Sequence, residues 1–315
     1  MAEVGSFHQP VMPNEVLAHL KVTGGPGVYV DGTVGGGGHA RLLAEGLSPR
    51  DLLIGIDLDP EALRVAADVM AGVPPRVELV HANFRFLPAL LEERGIDHMA
   101  GCFLDLGVSS HQLDCPGRGF SYRCRDAPLD MRMNPGDGRT AADVLNRYPQ
   151  RDIARILRQY GEERWARRIA SFIVRRRKTR PFETAGDLID VIMDAIPAAA
   201  RRRGGHPARR TFQALRIEVN GELEGLSGFL EEVIQLLRPG GRLVVITFHS
   251  LEDRPVKRVF RKLSRECRCP PGLPVCRCGG PVVRDLTPKP IRPTEAEVNL
   301  NPRSSSAKLR AVERL

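Results

Sequence analysis

Three aspartates of this chain stand at positions from which carboxylates often bind a ligand. Asp31, Asp57 and Asp105 each follow a short apolar run of the kind that forms a buried strand. The carboxyl ends of parallel strands lie at one edge of an open α/β sheet, and ligands bind at that edge. One such acid could arise by chance, but three predict a shared binding site.

A run of four glycines, residues 35–38, follows the first of these acids. The spacing Gly35-x-Gly37-x-x-Ala40 fits the looser form of the dinucleotide fingerprint, in which a strand, a glycine turn and a helix cradle a phosphate or nucleotide. Glycine allows a positive φ and lets a ligand approach the backbone without meeting a Cβ. Because four consecutive glycines satisfy many patterns, this turn alone is a weak signal.

The second acid makes the signal more specific. Asp57 follows Gly37 by 20 residues, which is the separation at which a carboxylate holds the two hydroxyls of a ribose. The alternative is that Asp57 only caps a helix beginning near Asp59 and Pro60. Since two strands agree on one geometry, this part of the chain is predicted to bind an adenosine-type cofactor.

The elements that position these residues alternate between strand and helix in two separate stretches. The alternation covers residues 1–114 and returns within 217–315, where Leu243–Phe248 has the pattern of a buried strand. Such alternation is typical of a parallel sheet covered by helices. We predict an α/β fold with a discontinuous core, closed by an antiparallel edge strand over residues 304–310.

Residues 115–216 interrupt this alternation and predict an inserted helical domain. Two helix starts have capping-box spacing, Thr140-x-x-Asp143 and Thr184-x-x-Asp187, with Asp in place of the usual Glu or Gln. Between them, residues 162–178 have apolar side chains at helical spacing and arginines elsewhere around the helix.

The composition is that of an ordinary globular protein with a basic excess. The 315 residues are 42% hydrophobic and 27% charged, and 47 Lys and Arg against 38 Asp and Glu give a net charge of +9. No apolar run approaches the roughly 18 residues of a membrane span. A cytoplasmic protein without membrane attachment is the simplest interpretation.

The basic residues are concentrated in the insertion. Its runs are Arg175-Arg176-Arg177-Lys178, Arg201-Arg202-Arg203 and Arg209-Arg210. Arginine is suited to forked contacts with phosphate, so a partner with a phosphate backbone is predicted. The alternative is a solvated outer surface without a partner.

The motifs, in their order along nearly the whole chain, closely resemble the bacterial 16S ribosomal RNA cytosine-N4 methyltransferases (the RsmH, or MraW, family), which use S-adenosylmethionine. The matching segments are His8–Val11, Asp31–Thr33 with Gly36–His39, Asp57–Pro60, Asp105–Ser110, Arg118–Ser121, Pro128–Met133, Tyr160–Arg164, His206–Arg216 and Phe248–Arg254. The resemblance implies a Rossmann-like class I S-adenosylmethionine methyltransferase core with an inserted all-helical domain, 115–216, that recognises RNA. Its implied substrate is a decoding-centre cytosine of 16S ribosomal RNA in the small ribosomal subunit.

The strand ends and the resemblance together give the predicted cofactor-binding residues. They are Asp31, Gly36, Gly37, Gly38, His39, Asp57, Phe84, Asp105 and Gln112. The glycine backbone would lie near the methionine end of the cofactor, Asp57 on the ribose and Phe84 beside the adenine. Asp105 would lie close to the sulfonium.

The predicted catalytic residues are acceptors for a proton of the target amine. The exocyclic amine of cytosine is a poor nucleophile because its lone pair is conjugated into the ring, so an acceptor on its N–H would raise its reactivity. The acceptor is either Asp105 or a group of the late loop, His249, Glu252 or Asp253. A loop histidine can also serve only to hold a backbone carbonyl.

Two further sets of residues complete the predicted sites. The predicted RNA-binding residues are Arg118, Arg132, Arg175, Arg176, Arg177, Lys178, Arg209 and Arg210. Cys267, Cys269, Cys276 and Cys278 have the composition of a four-thiolate zinc site, although each pair is separated by one residue rather than the commoner two or more. Free thiols in an exposed loop are the alternative.

Two other functions fit parts of this pattern. An NAD-dependent α/β enzyme is disfavoured, because the chain has no second nucleotide-binding half and has an acid after the fourth strand. A non-catalytic ribosome-assembly factor that binds S-adenosylmethionine as a structural ligand is disfavoured by the presence of Asp105 and the His249 loop. The chain is expected to be a monomer or a homodimer.

Overall fold

The computed structural model describes residues 10–20, 26–201, 205–265 and 280–315. The chain divides into two compact units: unit 1 comprises Met1–Gly107 with Gly225–Leu315, and unit 2 comprises Val108–Glu224. Residues 115–216, the predicted insertion, fall within unit 2.

Unit 1 contains a mixed sheet of seven strands in the order β3-β2-β1-β4-β5-β7-β6. The strands are β1 (Val28–Asp31), β2 (Leu52–Asp57), β3 (Arg76–His81), β4 (Met99–Asp105), β5 (Leu237–Thr247), β6 (Val283–Asp285) and β7 (Lys308–Arg314). Strands β1 to β5 pair in parallel, and β7 pairs antiparallel with both β5 and β6. The parallel part has the order of a Rossmann-like fold, as predicted.

The helices alternate with these strands in unit 1 and make up the regular structure of unit 2. They are α1 (Pro13–Leu20), α2 (Gly38–Glu45), α3 (Pro60–Val69), α4 (Leu87–Glu93), α5 (Ser110–Asp114), α6 (Ala141–Arg147), α7 (Gln150–Gln159), α8 (Ala166–Arg176), α9 (Ala185–Ala195), α10 (Ala198–Arg201), α11 (Arg209–Asn220), α12 (Leu226–Gln235), α13 (Ser250–Leu263) and α14 (Glu295–Leu300).

The central strands of unit 1 are apolar because both faces of the sheet are covered. Every residue of β4 except the terminal Asp105 is buried, a pattern typical of a parallel strand with helices on both sides. One face packs on a core that includes Leu230 and Phe260, and the other on a core that includes Leu43. The polar residues at the ends of these strands therefore project from a rigid sheet.

The predicted antiparallel strand near the end of the chain exists, but its predicted place in the sheet is wrong. Strand β7 lies between β5 and β6, so it is an interior strand. The outer position belongs to β6, a three-residue strand whose sequence has no strand-like periodicity. Burial on β7 of Leu309, Ala311 and Val312 is consistent with this interior position.

Unit 2 is held together by one apolar core that receives side chains from most of its helices. Both predicted capping boxes are confirmed, because Thr140 caps α6 with Asp143 and Thr184 caps α9 with Asp187. Helices α7 and α8 lie side by side and bury their isoleucines in this core.

No helix in the described part of the chain is both long and apolar enough to cross a membrane.

Candidate functional site

The three aspartates of the sequence motifs end three neighbouring strands of unit 1. Asp31 is the last residue of β1, Asp57 of β2 and Asp105 of β4. Strand β1 lies between the other two, and the chain order reverses there, since β2 and β3 lie on one side and β4 and β5 on the other. Such a switch point leaves a crevice at the carboxyl ends of the strands, which is where α/β sheets bind ligands.

The glycine turn connects β1 to the start of α2 at this crevice. Gly37 has φ +86° and is the residue preceding the helix, which begins at Gly38. A Cβ on Gly37 would lie 3.2 Å from Val69 Cγ1 and 3.3 Å from Ala66 Cα. Both the backbone conformation and the close packing on α3 therefore require glycine at this position.

Asp57 is tied to the glycine turn by hydrogen bonds. Its Oδ2 accepts from the N–H of Gly35 at 2.7 Å and its Oδ1 from the N–H of Asp59 at 2.8 Å. The side chain that caps α3 is that of Asp59, which accepts from the N–H of Glu61. Asp57 is therefore not the residue that caps α3, as the alternative interpretation had it. Its carboxylate has further lone pairs, which are available to hydroxyl groups of a ligand.

Asp31 is buried, and its carboxyl is held on one side only. Its Oδ1 accepts from the N–H of Thr33 at 3.1 Å, whereas its Oδ2 is buried and has no hydrogen-bond partner among the described residues. Burial raises the pKa of Asp31 to about 7; the hydrogen bond from Thr33 opposes this and the charge of Asp57 adds to it. A positive group bound nearby would stabilise the ionised form.

Asp105 likewise has one buried carboxyl oxygen that accepts no hydrogen bond from the described residues. Its backbone N–H donates to Thr33 Oγ1 at 2.6 Å, which fixes the end of β4 against the turn after β1. Its Oδ1 is buried and has no hydrogen-bond partner in the part of the chain that the structure describes. Burial, followed by the charges of Asp31 and Glu252, raises the pKa of Asp105 well above its ordinary value.

His39 stands beside Asp105 on α2. Its Nε2 lies 2.8 Å from the carbonyl oxygen of Val11, and since a carbonyl only accepts, this nitrogen carries a proton. That bond directs Nδ1 toward Asp105, where it lies 3.8 Å from Oδ2, beyond hydrogen-bond distance. The ring also packs on Phe103 with centroids 4.7 Å apart.

Phe84 follows β3 at the same edge of the sheet, at the start of a short 3₁₀ turn. Its half-buried ring packs edge-to-face on Phe229 of α12, with the centroids 5.0 Å apart. One ring face can therefore be offered to a planar ligand while the other packs in the core.

The loop after β5 brings a second acid close to the end of β4. Glu252 is buried, and its Oε2 accepts from the backbone N–H of Phe248 at 2.8 Å and of His249 at 3.2 Å. Its Oε1 lies 3.1 Å from His249 Nε2. A Cβ on Gly107 would lie 3.6 Å from the same Oε1, so the loop lies next to the turn that follows Asp105.

Asp253 makes contacts of a different kind. Its Oδ1 accepts from Arg310 Nε at 2.6 Å and its Oδ2 from Lys308 Nζ at 3.3 Å, both on β7. Burial acts to raise the pKa of Asp253, but the hydrogen bond and charge of Arg310, with those of Lys308, lower it below its ordinary value. Both oxygens of this carboxylate are paired with cationic side chains of β7, which fixes α13 to β7 and favours a structural role. No local pattern in the sequence indicates this pairing, because Asp253 and Arg310 lie 57 residues apart.

Gln112 belongs to unit 2, whereas the other predicted cofactor residues belong to unit 1. It lies on α5, is buried, and completes a capping box in which Ser109 Oγ accepts from its N–H at 3.2 Å and its Oε1 accepts from the N–H of Ser109 at 3.1 Å.

The predicted RNA-binding residues divide into two groups of four. In the first group the side chains are used within unit 2. Arg118 donates to the carbonyl of Met133 and Arg177 to that of Tyr148, while Arg132 pairs with Asp130 and Arg176 with Asp187. The members of the second group are exposed: Arg175, Lys178, Arg209 and Arg210.

The four cysteines of the predicted zinc site, Cys267, Cys269, Cys276 and Cys278, lie outside the described residues.

Comparison with known proteins identifies the family. The model of the MraW methylase family matches residues 5–315. The chain belongs to this family. The resemblance inferred from the motifs is thereby confirmed, and with it the prediction that the chain is a methyltransferase.

Relatives of similar length share more than half of its residues. The chain is 54% identical over 310 residues to a protein of Heliobacterium modesticaldum, covering 98% of each chain. It is 54% identical over 309 residues to one of Symbiobacterium thermophilum, covering 98% of this chain and 96% of that protein. For one of Geobacter sulfurreducens the identity is 55% over 309 residues, with 98% and 99% covered. Each of these relatives carries the name "Ribosomal RNA small subunit methyltransferase H".

Proposed function

We propose that this protein transfers a methyl group from S-adenosylmethionine to the N4 amine of a decoding-centre cytosine in the 16S ribosomal RNA of the small ribosomal subunit. The observation that carries the proposal is the crevice of unit 1, in which Asp31 and Asp105 each have a buried carboxyl oxygen that no described residue contacts by a hydrogen bond. Family membership and the names of the relatives support the ribosomal substrate. A cytoplasmic location follows from that substrate.

The residues of the crevice fit this cofactor. When bound, S-adenosylmethionine supplies an electrophilic methyl group carried on a positively charged sulfonium. Asp31 and Asp105 provide negative charge in a buried setting, where a single positive group is stabilised strongly. Asp57 retains acceptor capacity for the ribose hydroxyls. The N-terminus of α2, with Gly36, Gly37 and Gly38 before and at its first turn, is suited to the cofactor's carboxylate.

Asp105 is the proposed acceptor for the target amine. A carboxylate that accepts a hydrogen bond from the N–H of cytosine raises electron density on the nitrogen and removes positive charge as it develops. The same residue then takes the proton released when the nitrogen gains its methyl group. Burial, followed by the charges of Asp31 and Glu252, raises the pKa of Asp105, so its carboxylate is a stronger proton acceptor than that of an exposed aspartate.

His249 and Glu252 are proposed to position the target base. Two backbone N–H bonds hold Glu252, and its second oxygen lies 3.1 Å from Nε2 of His249. The pair lies beside the turn after Asp105, so His249 can hydrogen-bond to an edge of the cytosine. Asp253 is left out of this mechanism because its two oxygens are engaged by Arg310 and Lys308.

The inserted domain, residues 115–216, is proposed to bind the RNA around the target. A base must leave its stack to reach a buried methyl donor, and contacts with the flanking phosphates hold the strand while it does so. The exposed residues Arg175, Lys178, Arg209 and Arg210 can supply such contacts without loss of packing.

Methyl transfer is tested with labelled S-adenosylmethionine and small ribosomal subunits that lack their native modifications, with naked 16S ribosomal RNA alongside. We expect label on the N4 of one cytosine, in the assembled subunit rather than the naked RNA. Tight cofactor binding without label on either substrate would contradict the proposal and favour a non-catalytic assembly factor.

The zinc site remains a proposal of its own. Four thiolates can hold zinc in a closed tetrahedral site. Metal analysis of the purified protein tests this, with one zinc ion per chain expected and none in a variant with Cys267 and Cys269 changed to Ser. Protein without zinc after purification and metal supplementation would identify these cysteines as free thiols.

A further inference from the structure

A groove in unit 2 has arginine as its only charged lining residue. Its volume is about 660 Å³, and it is lined by Arg151, Arg155 and Arg158 of α7, by Arg167 of α8, and by Gln150 and Gln159. We propose that this groove binds the phosphodiester backbone of RNA. None of its residues belongs to the matched segments or to the basic runs named above, although Arg167 lies in the arginine-containing segment 162–178.

The sequence of α7 places three of these arginines on one side of the helix. Arg151, Arg155 and Arg158 follow the spacing i, i+4, i+7, and all three are exposed. The residues between them on the opposite side are buried in the core: Ile153, Ile156 and Leu157. At 1.5 Å per residue the arginines extend over about 10 Å of the helix axis, a length along which a nucleic-acid strand carries several phosphates.

The charge of these arginines is little compensated. Within the described part of the chain, Arg158 and Arg167 have no hydrogen-bond or ion-pair partner. Arg155 donates to the neutral Gln159 Oε1 at 3.4 Å, and its charge also acts on the carboxyl of Glu218, whose pKa burial raises and Arg155 lowers. Arg151 lies 3.9 Å from Asp152, with 85% of its own side chain exposed, and such a pair contributes little.

The position of Arg167 in its helix is unfavourable for a positive charge. It lies in the first turn of α8, which has no acidic residue. The helix dipole favours negative charge there and positive charge at the other end. The charge of Arg167 therefore does not stabilise α8. It is instead placed to attract an anion from outside the protein.

A second groove of the same unit provides a contrast. Its volume is about 360 Å³, and it contains Arg175 and Arg176 together with Asp187, Asp190 and Asp194. Three carboxylates outnumber the two arginines here, so this groove attracts a polyanion less than a groove lined by arginines alone. The groove between α7 and α8, which lacks a carboxylate, is therefore the better site for a phosphate backbone.

The choice of RNA over an acidic protein rests partly on the proposed function. Four arginines in one groove match phosphates, which the planar guanidinium contacts through two parallel hydrogen bonds. Gln150 and Gln159 add neutral donors and acceptors that can reach ribose hydroxyls. The substrate proposed for this enzyme supplies both groups.

The test uses the full-length protein with Arg155, Arg158 and Arg167 all changed to Gln. Binding of an unmodified 16S ribosomal RNA transcript is measured by filter binding over a range of KCl concentrations, in the absence of S-adenosylmethionine. We expect affinity at 100 mM KCl to fall about tenfold or more, and the slope of log K against log [KCl] to decrease by about 2, since three phosphate contacts are lost.

A matched variant removes the same charge elsewhere in unit 2. Arg123, Arg125 and Arg147 are exposed and lie outside the groove, and changing all three to Gln is expected to leave both the affinity and the slope close to those of the unaltered protein. Circular dichroism and thermal unfolding of both variants establish that they are folded.

The outcomes separate the groove from the proposed function. A groove variant that is folded and binds RNA with unchanged affinity and slope overturns the inference. Equal loss in both variants overturns it as well, because the effect would then be one of net charge. Competition by polyglutamate as effective as that by RNA would indicate an acidic protein partner instead. RNA binding that depends on the groove, without methyl transfer, would contradict only the proposed function.

Discussion

The crevice of unit 1 and the arginine groove of unit 2 both contain charge that the protein does not neutralise, but they do so in opposite ways. In the crevice the ionisable groups are acidic and buried, and Asp31 and Asp105 each keep an oxygen without a hydrogen-bond partner among the described residues. In the groove the charges are positive and exposed, and Arg158 and Arg167 have no partner among the described residues.

Because of this difference, ligand binding at the two sites should respond to different properties of the solution. A buried carboxylate responds to pH, because burial moves its pKa toward neutrality, and it is poorly screened by salt. An exposed guanidinium stays charged at every accessible pH but is screened by ions. Cofactor binding should therefore depend mainly on pH, and RNA binding mainly on ionic strength.

The largest effect is expected at the acid proposed to accept the amine proton. Asp105→Asn keeps the size of the side chain but removes its negative charge, and methyl transfer should fall by about 10²–10⁴-fold. The unfolding temperature should not fall, because the amide removes a buried charge that lacks a partner. Single-turnover transfer with saturating cofactor measures the first effect, and thermal unfolding the second.

An exposed acid just before β4 serves as the control. Asp97→Asn is expected to leave both transfer and unfolding unchanged, since Asp97 is exposed. An Asp105→Asn protein that transfers methyl at a near-normal rate would remove Asp105 from the mechanism and leave His249 as the candidate acceptor.

Asp253, which is paired with Arg310, should show the opposite result: a loss of stability without a loss of methyl transfer. Asp253→Asn leaves Arg310 buried without its carboxylate, which should lower the free energy of unfolding by about 3–5 kcal/mol. Transfer per folded molecule should persist. Chemical denaturation measures the loss, and Asp190→Asn, whose partner Arg125 is exposed, should change unfolding little. Normal stability combined with lost transfer would return Asp253 to the catalytic residues.

The pH dependence of cofactor binding tests the buried charge directly. Because the pKa of Asp31 is raised to about 7 in the folded protein, its contribution to the stability of the cofactor-free protein is present below about pH 4 and is lost as the pH rises through 7. A cationic ligand prefers the ionised form, so affinity for S-adenosylmethionine should increase about tenfold between pH 6 and pH 8.

Calorimetric titration at several pH values measures this increase, and Asp31→Asn should abolish most of it. An affinity that is flat across the range in the unaltered protein would show that Asp31 does not face the positive group of the cofactor.

The smallest effects should separate two adjacent residues of the basic run in unit 2. Arg177 donates to the carbonyls of Leu145 and Tyr148, so Arg177→Ala should cost about 1 kcal/mol of stability. Arg175 is exposed over the ring of Phe172, so Arg175→Ala should leave stability unchanged and weaken RNA binding only a few-fold. Chemical denaturation and filter binding on both variants measure these effects. Equal losses of RNA affinity would contradict the division into arginines that hydrogen-bond within unit 2 and arginines that are exposed.

Much of the fold could be predicted because its signals are local. Helix caps such as Thr140 with Asp143, the glycine turn, and the buried strands ending in Asp31, Asp57 and Asp105 are all recorded in short segments. The interior position of β7 could not be predicted in this way. Its neighbours are chosen by pairing with β5, about sixty residues earlier in the chain, and not by its own pattern.

The sequence by itself determined the family, the α/β alternation and the acids at the strand ends, since these depend on residue type and spacing. It also contained the arginine repeat of α7, which is readable as soon as the helix phase is known. Which charged side chains have partners within the protein became known from the tertiary structure alone. Asp253 and Arg177 look as available in the sequence as Asp105 and Arg175, yet their partners come from distant segments. Whether a charge remains available to a ligand depends on those partners, and only folding brings them together.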